Sequence, residues 1–393
     1  MGAKEACLTR FDLTSPKEML ARKVTALFRR TGLMGTVRSL LAGEGIILML
    51  HEVQHDPAAQ LSRACLVETL EWTLRWLRRE GWEIVSLSEA SDRLSHRDST
   101  GGRFAVFTFD DGYRDTLTHA LPIMEEHGAA FTIYVSTHAV TREIYSWWLG
   151  LRELFRNNDA VSLSSRERRY KCASRAEKLA ALKDVTDWVG EDFRRAYLLA
   201  EDFRTYRVNL WELNESFFLT EGELQAMARR PLVTVGGHTT SHAPLSCLDE
   251  VSAQREIVDN RRFLQRLVEQ EVDHFAYPYG NSRALTLRDA GLVASAGYRT
   301  AVTTKYGVVR SRDACNFLLP RIEPSYEIDA CALDGRASGI FSALAAAAHG
   351  YRRCIDRLRG GDPADDALGA KRPGSWPSDR GTTGAGGLLG TQR

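Results

Sequence analysis

The feature of this sequence that most constrains its fold is an alternation of short apolar segments with longer segments of helical periodicity. Residues 46–50, 103–109 and 130–135 are rich in Ile, Val, Leu and Phe, which predicts strands. Residues 64–80, between the first two, carry leucines at helical spacing. Apolar strands that alternate with helices are typical of a parallel sheet covered on both faces. The sequence therefore predicts an α/β fold.

Interruptions of this alternation divide the chain into five segments. We expect an N-terminal helical segment (1–43), a first part of the α/β domain (44–140), a helical insertion (141–230), a second part of the domain (231–358) and a disordered tail (359–393). The N-terminal segment is basic on one face and is expected to pack on the domain, with a membrane anchor as the alternative. The insertion is rich in Arg, Lys, Glu, Leu and Trp and has no clear strand. The tail has too few large apolar residues to offset the entropy cost of ordering.

Composition excludes several classes of protein. The 52 Lys and Arg residues balance 51 Asp and Glu residues, so no basic nucleic-acid-binding surface is indicated. Apolar runs such as residues 46–50 are too short to cross a bilayer, and the N-terminus lacks the apolar core of a signal peptide. We therefore expect no transmembrane segment and a cytoplasmic location. The seven cysteines are scattered without a C-x-x-C pair, which argues against a zinc ribbon or a disulfide framework.

Two groups of potential metal ligands follow predicted strands. Asp110 and Asp111 come directly after residues 103–109, and an acidic turn is the alternative interpretation. His238 and His242 lie four residues apart after a strand and a glycine pair, and two surface histidines are the alternative. Zinc and similar ions favour imidazole and carboxylate ligands. Because functional groups gather at the carboxyl ends of parallel strands, the pattern predicts a divalent-metal site there.

A third group, His51-Glu52-Val-Gln-His55, matches the H-E-x-x-H zinc motif of metalloproteases. That motif requires a continuous helix, whereas the five preceding residues are strand-like and Asp56 precedes a proline. A metalloprotease remains an alternative, in which Glu52 would be essential and His238 would not. We expect instead that His51 alone, at the end of the first strand, enters the same mouth of the domain as the metal ligands.

Three segments, taken in order, resemble a known family. Residues 108–112 match its first motif, Thr-Phe-Asp-Asp-Gly, and residues 238–242 match its second, His-[Ser/Thr]-x-x-His. Residues 275–280 resemble its third, a loop that ends in Pro-Tyr-Gly. The chain thus resembles the polysaccharide deacetylases with a NodB-type domain, carbohydrate esterase family 4. The resemblance implies a distorted (β/α) barrel with an incomplete number of strands, here carrying a helical insertion.

The resemblance also implies roles for individual residues. Asp111, His238 and His242 would bind a divalent metal, with zinc favoured over Co, Ni, Fe or Mn. Asp110 would be the general base, and the metal and a backbone N–H near Tyr279 would hold the oxyanion. The residues expected to contact substrate are Tyr113, Tyr277, Pro278 and Tyr279.

Two departures from the family pattern concern catalytic residues. The third motif usually begins Phe-Arg, and this Arg orients the catalytic Asp, but here Ala276 holds its place. The usual late motif with a catalytic His is also missing. Residues 48–53 resemble an early segment of the deacetylases that act on poly-N-acetylglucosamine, in which an early His is the general acid. The resemblance therefore assigns that role to His51.

These residues together predict N-deacetylation of an N-acetylated polysaccharide or oligosaccharide, of the chitooligosaccharide or poly-N-acetylglucosamine type. Amide hydrolysis needs an activated water, a Lewis acid and a proton for the leaving amine, and the metal, Asp110 and His51 are candidates for these roles. The alternatives are another hydrolase on the same scaffold, such as an O-deacetylase or a cyclic amide hydrolase, and a catalytically decayed carbohydrate-binding protein. The Trp147-Trp148 pair of the insertion could line a sugar subsite or pack as a buried pair.

Overall fold

The structure, a computed structural model, describes residues 16–56, 61–62, 64–96, 102–310, 315–324 and 328–344. The strands are β1 (Gly45–Leu50), β2 (Val53–Gln54), β3 (Cys65–Leu66), β4 (Glu83–Ile84), β5 (Phe104–Phe109), β6 (Phe131–Val135), β7 (Ala160–Leu163), β8 (Arg168–Lys171), β9 (Val233–Gly237), β10 (His274–Ala276), β11 (Thr300–Tyr306) and β12 (Leu319–Arg321). The helices are α1 (Pro16–Arg30), α2 (Met34–Leu41), α3 (Val67–Arg79), α4 (Leu87–His96), α5 (Leu121–Glu126), α6 (Thr137–Val140), α7 (Trp147–Asn157), α8 (Arg175–Glu191), α9 (Leu199–Thr205), α10 (Leu210–Phe217), α11 (Glu221–Ala228), α12 (Glu250–Val268), α13 (Leu287–Ser295) and α14 (Ala330–Ala337).

Eight of these strands form one parallel sheet that curls into a barrel. The order is β1-β5-β6-β9-β10-β11-β12, and β4 pairs with the start of β5. The chain at the end of the last strand, β12, bonds to the first strand, β1, which closes the barrel. Ile322 N–H donates to the Ile47 carbonyl at 2.9 Å, and Met49 N–H donates to the Ile322 carbonyl at 2.9 Å. The predicted α/β class and distorted (β/α) barrel are confirmed. All strands of such a barrel present their carboxyl ends at one mouth.

The barrel strands are buried on both faces, as their unbroken apolar sequences predict. Along β5, Phe107 and Phe109 belong to a buried cluster with Leu74 of the surrounding helix α3. Val106, which points the opposite way, clusters instead with barrel residues such as Tyr134 of β6. This two-sided burial fixes the strand register, because a shift by one residue would exchange the two faces.

The segment between β6 and β9 contains a second buried cluster, formed chiefly by residues 147–210, whereas Leu224 and Met227 of α11 belong to the main barrel cluster. The expected helices are present, but the expectation of no strand was wrong, since β7 and β8 pair as an antiparallel hairpin. In β7, Val161 and Leu163 are buried while the residues between and before them are exposed. This alternation of buried and exposed residues extends over only four residues. A strand this short cannot be recognised from its periodicity in a sequence segment that is otherwise helical.

The N-terminal helices pack against α14 through the buried carboxylate of Asp334. Arg29 Nη1 lies 2.5 Å from this carboxylate, and Arg38 Nη2 lies 2.7 Å from it. The described part of the N-terminal segment thus contains two helices, while its extent as a separate segment stays a prediction. The predicted tail, 359–393, lies outside the described residues. Within the described ranges, no helix combines the length and the apolar character needed to span a membrane, and the location stays a prediction.

His274, the first residue of β10, is fully buried. Its ring nitrogens pair with the hydroxyls of Ser88 and Thr300 at 2.8 Å each. Burial lowers the pKa of His274 to about 4, from 6.5 in an exposed histidine. As the pH falls below 6.5, His274 takes up a proton in the unfolded chain but stays neutral in the folded protein. The free energy of unfolding therefore decreases as the pH falls from 6.5 to 4.

We predict that replacing His274 by Gln flattens the pH dependence of stability in this range. The wild-type free energy of unfolding should fall by about 3 kcal/mol more than that of the variant between neutral pH and pH 4. Urea denaturation at several pH values measures this difference. Parallel pH profiles for the two proteins would contradict a neutral, buried His274.

Candidate metal and catalytic site

The strand register brings the predicted site residues to one level of the barrel mouth. Strands β1 and β5 are paired through their last residues, so His51 and Asp110 follow them at the same height. Asp111 comes next, and His238 directly follows β9. The segment after each of these three strands therefore contributes at least one polar side chain to the same opening.

Asp111, His238 and His242 converge as the sequence predicts. The Nε2 atoms of His238 and His242 lie 3.1 Å and 3.2 Å from the same carboxylate oxygen of Asp111. One ligand atom from each of the three lies within 4.8 Å of the others, and all three side chains are buried. Two imidazole nitrogens and a carboxylate oxygen at this spacing suit a divalent metal with an open position.

His238 is held in the orientation that a metal ligand requires. Its Nδ1–H donates to the carbonyl of Ala276 at 2.7 Å, which leaves the lone pair of Nε2 directed at Asp111. Its backbone N–H donates to Asn260 Oδ1 at 2.9 Å. Asn260, which is fully buried in α12, also donates to the Val135 carbonyl at the end of β6 at 3.0 Å. This amide therefore ties the ends of β6 and β9 together below the site.

The turn that carries His242 is fixed by the same helix. The Ser241 backbone N–H and hydroxyl both donate to the carboxylate of Glu256 at 2.8 Å. Glu256 and Asn260 lie four residues apart on α12, so both face this turn. Sequence analysis missed these two residues, although their four-residue spacing on a helix next to the histidine motif was the signal that could have identified them.

The backbone is strained at several residues of this site. Asp111, Thr239, His242 and Tyr279 all have φ between 61° and 72°, in the left-handed region that non-glycine residues seldom occupy. Each such residue costs on the order of 1 kcal/mol and persists only where its surroundings determine it. Their concentration around one point supports a functional rather than a purely structural role for the mouth.

The protonation states also suit a metal. Burial alone would raise the pKa of Asp111, but the neighbouring imidazoles of His242 and His238 outweigh it and hold that pKa well below its usual value. Burial lowers the pKa of His242, which favours the neutral imidazole. An ionised carboxylate beside a neutral imidazole is the state that binds a cation without first releasing protons. The three residues therefore fit a divalent metal, and we call the group formed by Asp111, His238 and His242 the metal cluster.

Asp110, the neighbour of Asp111, has a different partner. Arg321, at the end of β12, makes two parallel hydrogen bonds of 2.7 Å to the two carboxylate oxygens of Asp110. Arg321 is only 1% exposed and is itself held by the Thr303 carbonyl at 2.9 Å. Burial would raise the pKa of Asp110, but this guanidinium outweighs it and holds the pKa below its usual value. Asp110 is thus ionised and oriented without taking part in the metal cluster.

Arg321 contacts Asp110 in the way that the family pattern led us to expect of an arginine at position 276, where this chain has Ala276. The sequence offered a weak signal for it, a single arginine inside the apolar run 317–322. A charged residue in such a run is seldom fully buried unless it is paired. Its partner, however, lies 211 residues away, and the contact between them depends on closure of the barrel, which no local sequence pattern indicates.

His51 lies across from this pair, on the open side of the mouth. Its Nε2 is 3.9 Å from Asp110 Oδ2, and 44% of its side chain is exposed. The adjacent Glu52 is buried and accepts from Arg152 at 2.6 Å, while His55 packs against another ring, that of His119. Residues 51–55 are not helical. The geometry of this segment therefore does not match a H-E-x-x-H protease site.

The four residues expected to contact substrate have different environments. Tyr279 packs against the His242 ring, with 4.9 Å between the ring centroids. The Tyr113 hydroxyl accepts from Trp148 Nε1 at 2.7 Å. Tyr277 is 1% exposed and donates its hydroxyl to the Phe317 carbonyl, and Pro278 is buried beside it. The substrate roles of all four residues stay predictions.

The match of this chain to a protein family covers residues 97–301, more than half of its length. The family is described as polysaccharide deacetylase. This chain belongs to the polysaccharide deacetylase family. The resemblance inferred from the three sequence motifs is therefore confirmed. As a member, this deacetylase is a hydrolase that acts on the carbon–nitrogen bond of N-acetyl groups.

Known relatives and solved structures are also similar to this chain. The deacetylase is 20% identical to Bacillus subtilis YxkH over 279 residues, 71% of each chain. It is 29% identical over 140 residues to the poly-β-1,6-N-acetyl-D-glucosamine N-deacetylase of Escherichia coli K12, a match that spans 30% of this chain and 20% of that protein. Its fold is similar to Streptococcus pyogenes deacetylase PplD and to IcaB of Ammonifex degensii, at 16% and 18% identity. Each pair has a TM-score of 0.50 and covers 76% of this chain and 97% of the solved one.

We predict that Arg321 controls the ionisation of Asp110 during deacetylation. In an Arg321→Gln variant the pKa of Asp110 should rise, so the acidic limb of the kcat/KM profile moves to higher pH. An Arg321→Lys variant keeps the charge but loses the paired hydrogen bonds, so its limb should stay in place while kcat falls by about 10- to 100-fold.

Metal binding is the control for the Arg321→Lys variant, because the hydrogen bonds of Arg321 go to Asp110, Thr108 and Thr303 rather than to the three proposed metal ligands. Calorimetric titration with zinc should give similar affinities for the wild type and for Arg321→Lys. An unshifted acidic limb in the folded Gln variant would contradict the proposed control of Asp110.

Proposed function

We propose that this deacetylase is metal-dependent and removes the N-acetyl group from an N-acetylated polysaccharide or oligosaccharide of the chitooligosaccharide or poly-N-acetylglucosamine type. The observation that carries the proposal is that two neighbouring carboxylates lie in the same barrel mouth but contact different partners. Asp111 faces two imidazoles, while Asp110 faces Arg321 and His51. The name of the Escherichia coli relative supports the choice of sugar.

The residues of the chain divide the chemistry among them. Asp111, His238 and His242 would hold a divalent metal, which would supply the Lewis acidity that activates a water molecule and polarises the acetamide carbonyl. Zinc is our preferred metal, with Co, Ni, Fe or Mn as alternatives. Asp110, kept ionised by Arg321, takes the proton from the attacking water.

The proton for the leaving group comes from the opposite side. His51, which is partly exposed and close to Asp110, donates a proton to the amine nitrogen as the carbon–nitrogen bond breaks. The products are acetate and the free amino sugar. In our proposal, a backbone N–H near Tyr279 donates to the oxygen that becomes negative.

The Asp110–Arg321 pair bears on the alternative functions. The absence of an arginine at position 276, where this chain has Ala276, leaves room for an O-deacetylase or a cyclic amide hydrolase on the same scaffold. Arg321 instead contacts Asp110 from another strand. A binding protein has no need for an oriented base that stays outside the metal cluster, so the pair supports catalysis.

We predict that the purified protein releases acetate from N-acetylglucosamine oligomers in the presence of zinc. The substrates should include chitin-type and β-1,6-linked oligomers, and acetate is measured enzymatically. Chelation should abolish the activity and added zinc should restore it. An Asp110→Asn variant should be slower by about 10²- to 10⁴-fold while still binding zinc. Acetate release no faster than that of this variant on every acetamide would contradict the proposal.

We predict a different signature for His51. A His51→Ala variant should lose about 100-fold or more in kcat on sugar acetamides, because the leaving amine then lacks a proton donor. An acetate ester with an acidic phenol leaving group needs no such proton, so it should be hydrolysed at a rate close to that of the wild type. Equal losses on both substrates would contradict a general-acid role.

A further inference from the structure

Helix α7, in the helical unit between β6 and β9, lies across the mouth beside the metal cluster. Trp147 Nε1 donates to the Tyr279 hydroxyl at 3.0 Å, and Trp148 Nε1 donates to the Tyr113 hydroxyl at 2.7 Å. The Trp148 ring also packs on His242, with 4.9 Å between centroids, the same separation as between His242 and Tyr279. The ligand His242 therefore lies between an aromatic ring of α7 and one of the loop after β10.

The helix is anchored on the side of the mouth where His51 lies as well. Arg152 donates to the two carboxylate oxygens of Glu52, at 2.6 Å and 3.2 Å, and Glu52 directly follows His51. Both Arg152 and Glu52 are buried. Removing one partner of a buried ion pair leaves an uncompensated charge, which is strongly destabilising. Helix α7 is thus a fixed part of the mouth.

A second aromatic layer stands behind the first. Phe193, which is buried, packs on the Tyr279 ring with 4.4 Å between centroids. Tyr145 and Tyr197 stack nearby in the same unit, 5.1 Å apart and almost parallel. The space beside His242 and Tyr279 is therefore filled by side chains, and this side of the metal cluster forms a wall.

Exposure around the site is correspondingly one-sided. The side chains of Asp111, His238 and His242 are 9%, 2% and 7% exposed, whereas the side chain of His51 is 44% exposed. Among the described residues of the site, access is thus widest past His51. A sugar inside a long chain continues in both directions and needs a groove open on two sides of the metal. A terminal sugar needs one open side.

We propose that the mouth is a blind pocket that takes the terminal N-acetylated sugar of a saccharide and excludes internal sugars. This proposal rests on the proposed N-deacetylase function and specifies its substrate class. The ring of Trp148 forms the end of the pocket, and the rest of the saccharide leaves past His51. Trp148 is in this role a specificity-determining residue, because it decides which sugar can reach the metal cluster.

The test is the position of the first amino group released in an N-acetylglucosamine pentamer. After limited conversion by the zinc-loaded wild-type protein, tandem mass spectrometry locates the free amine. We expect at least a tenfold preference for a terminal sugar over each internal one. On longer soluble polymers, acetate should scale with the number of chain ends.

A set of tryptophan variants assigns the effect to α7. Trp148→Ala should raise the ratio of internal to terminal deacetylation at least tenfold, whereas Trp148→Phe, which keeps an aromatic ring, should retain the terminal preference. Trp211→Ala, in α10 of the same unit, is the matched control and should behave as wild type. Zinc titration and thermal melting check that each variant is folded and metal-loaded.

The outcomes separate this proposal from the one on which it rests. Acetate released equally from internal and terminal sugars by the wild type would overturn the blind pocket but leave the deacetylase function standing. An unchanged product pattern in folded Trp148→Ala would overturn the role of the α7 wall. The absence of acetate from every oligomer would contradict both proposals together.

Discussion

The buried ion pair between Asp110 and Arg321 joins the two ends of the barrel sheet. Asp110 follows β5, beside the first strand, and Arg321 ends β12, the last one. Because Asp110 and Asp111 are adjacent and both buried, their negative charges would repel each other in a medium of low dielectric constant. The guanidinium compensates one of them, and the two histidines face the other. Barrel closure therefore allows neighbouring carboxylates to keep separate roles.

Helix α12 supplies the second support of the site. Glu256 and Asn260 replace the hydrogen bonds that the strained turn around His238 and His242 cannot make within itself. A turn with left-handed residues is stable only if the surrounding structure determines its conformation. Helix α12, which is buried along one side against the sheet, supplies the hydrogen bonds that stabilise this strained turn. As a result, the two imidazoles are positioned by the scaffold before any ligand arrives.

Much of the fold and part of the site could be predicted from the sequence. Apolar strands ending in polar residues identified the barrel, and the motif spacing identified the cluster of Asp111, His238 and His242. Arg321 could not be paired with Asp110, because the contact depends on the return of β12 to β1 rather than on any local pattern. The position of Trp148 was equally inaccessible, since periodicity identifies a helix but not the neighbour on which it packs.

The account of catalysis depends on the claim that Asp111, His238 and His242 bind the metal. The most direct measurement is a crystal structure of zinc-loaded protein with anomalous data collected at the zinc edge. The account predicts one strong peak at about 2.0–2.2 Å from a carboxylate oxygen of Asp111 and from the Nε2 atoms of His238 and His242. A fully occupied zinc ion elsewhere, for example between His51 and His55, with this cluster empty in an active protein, would contradict it.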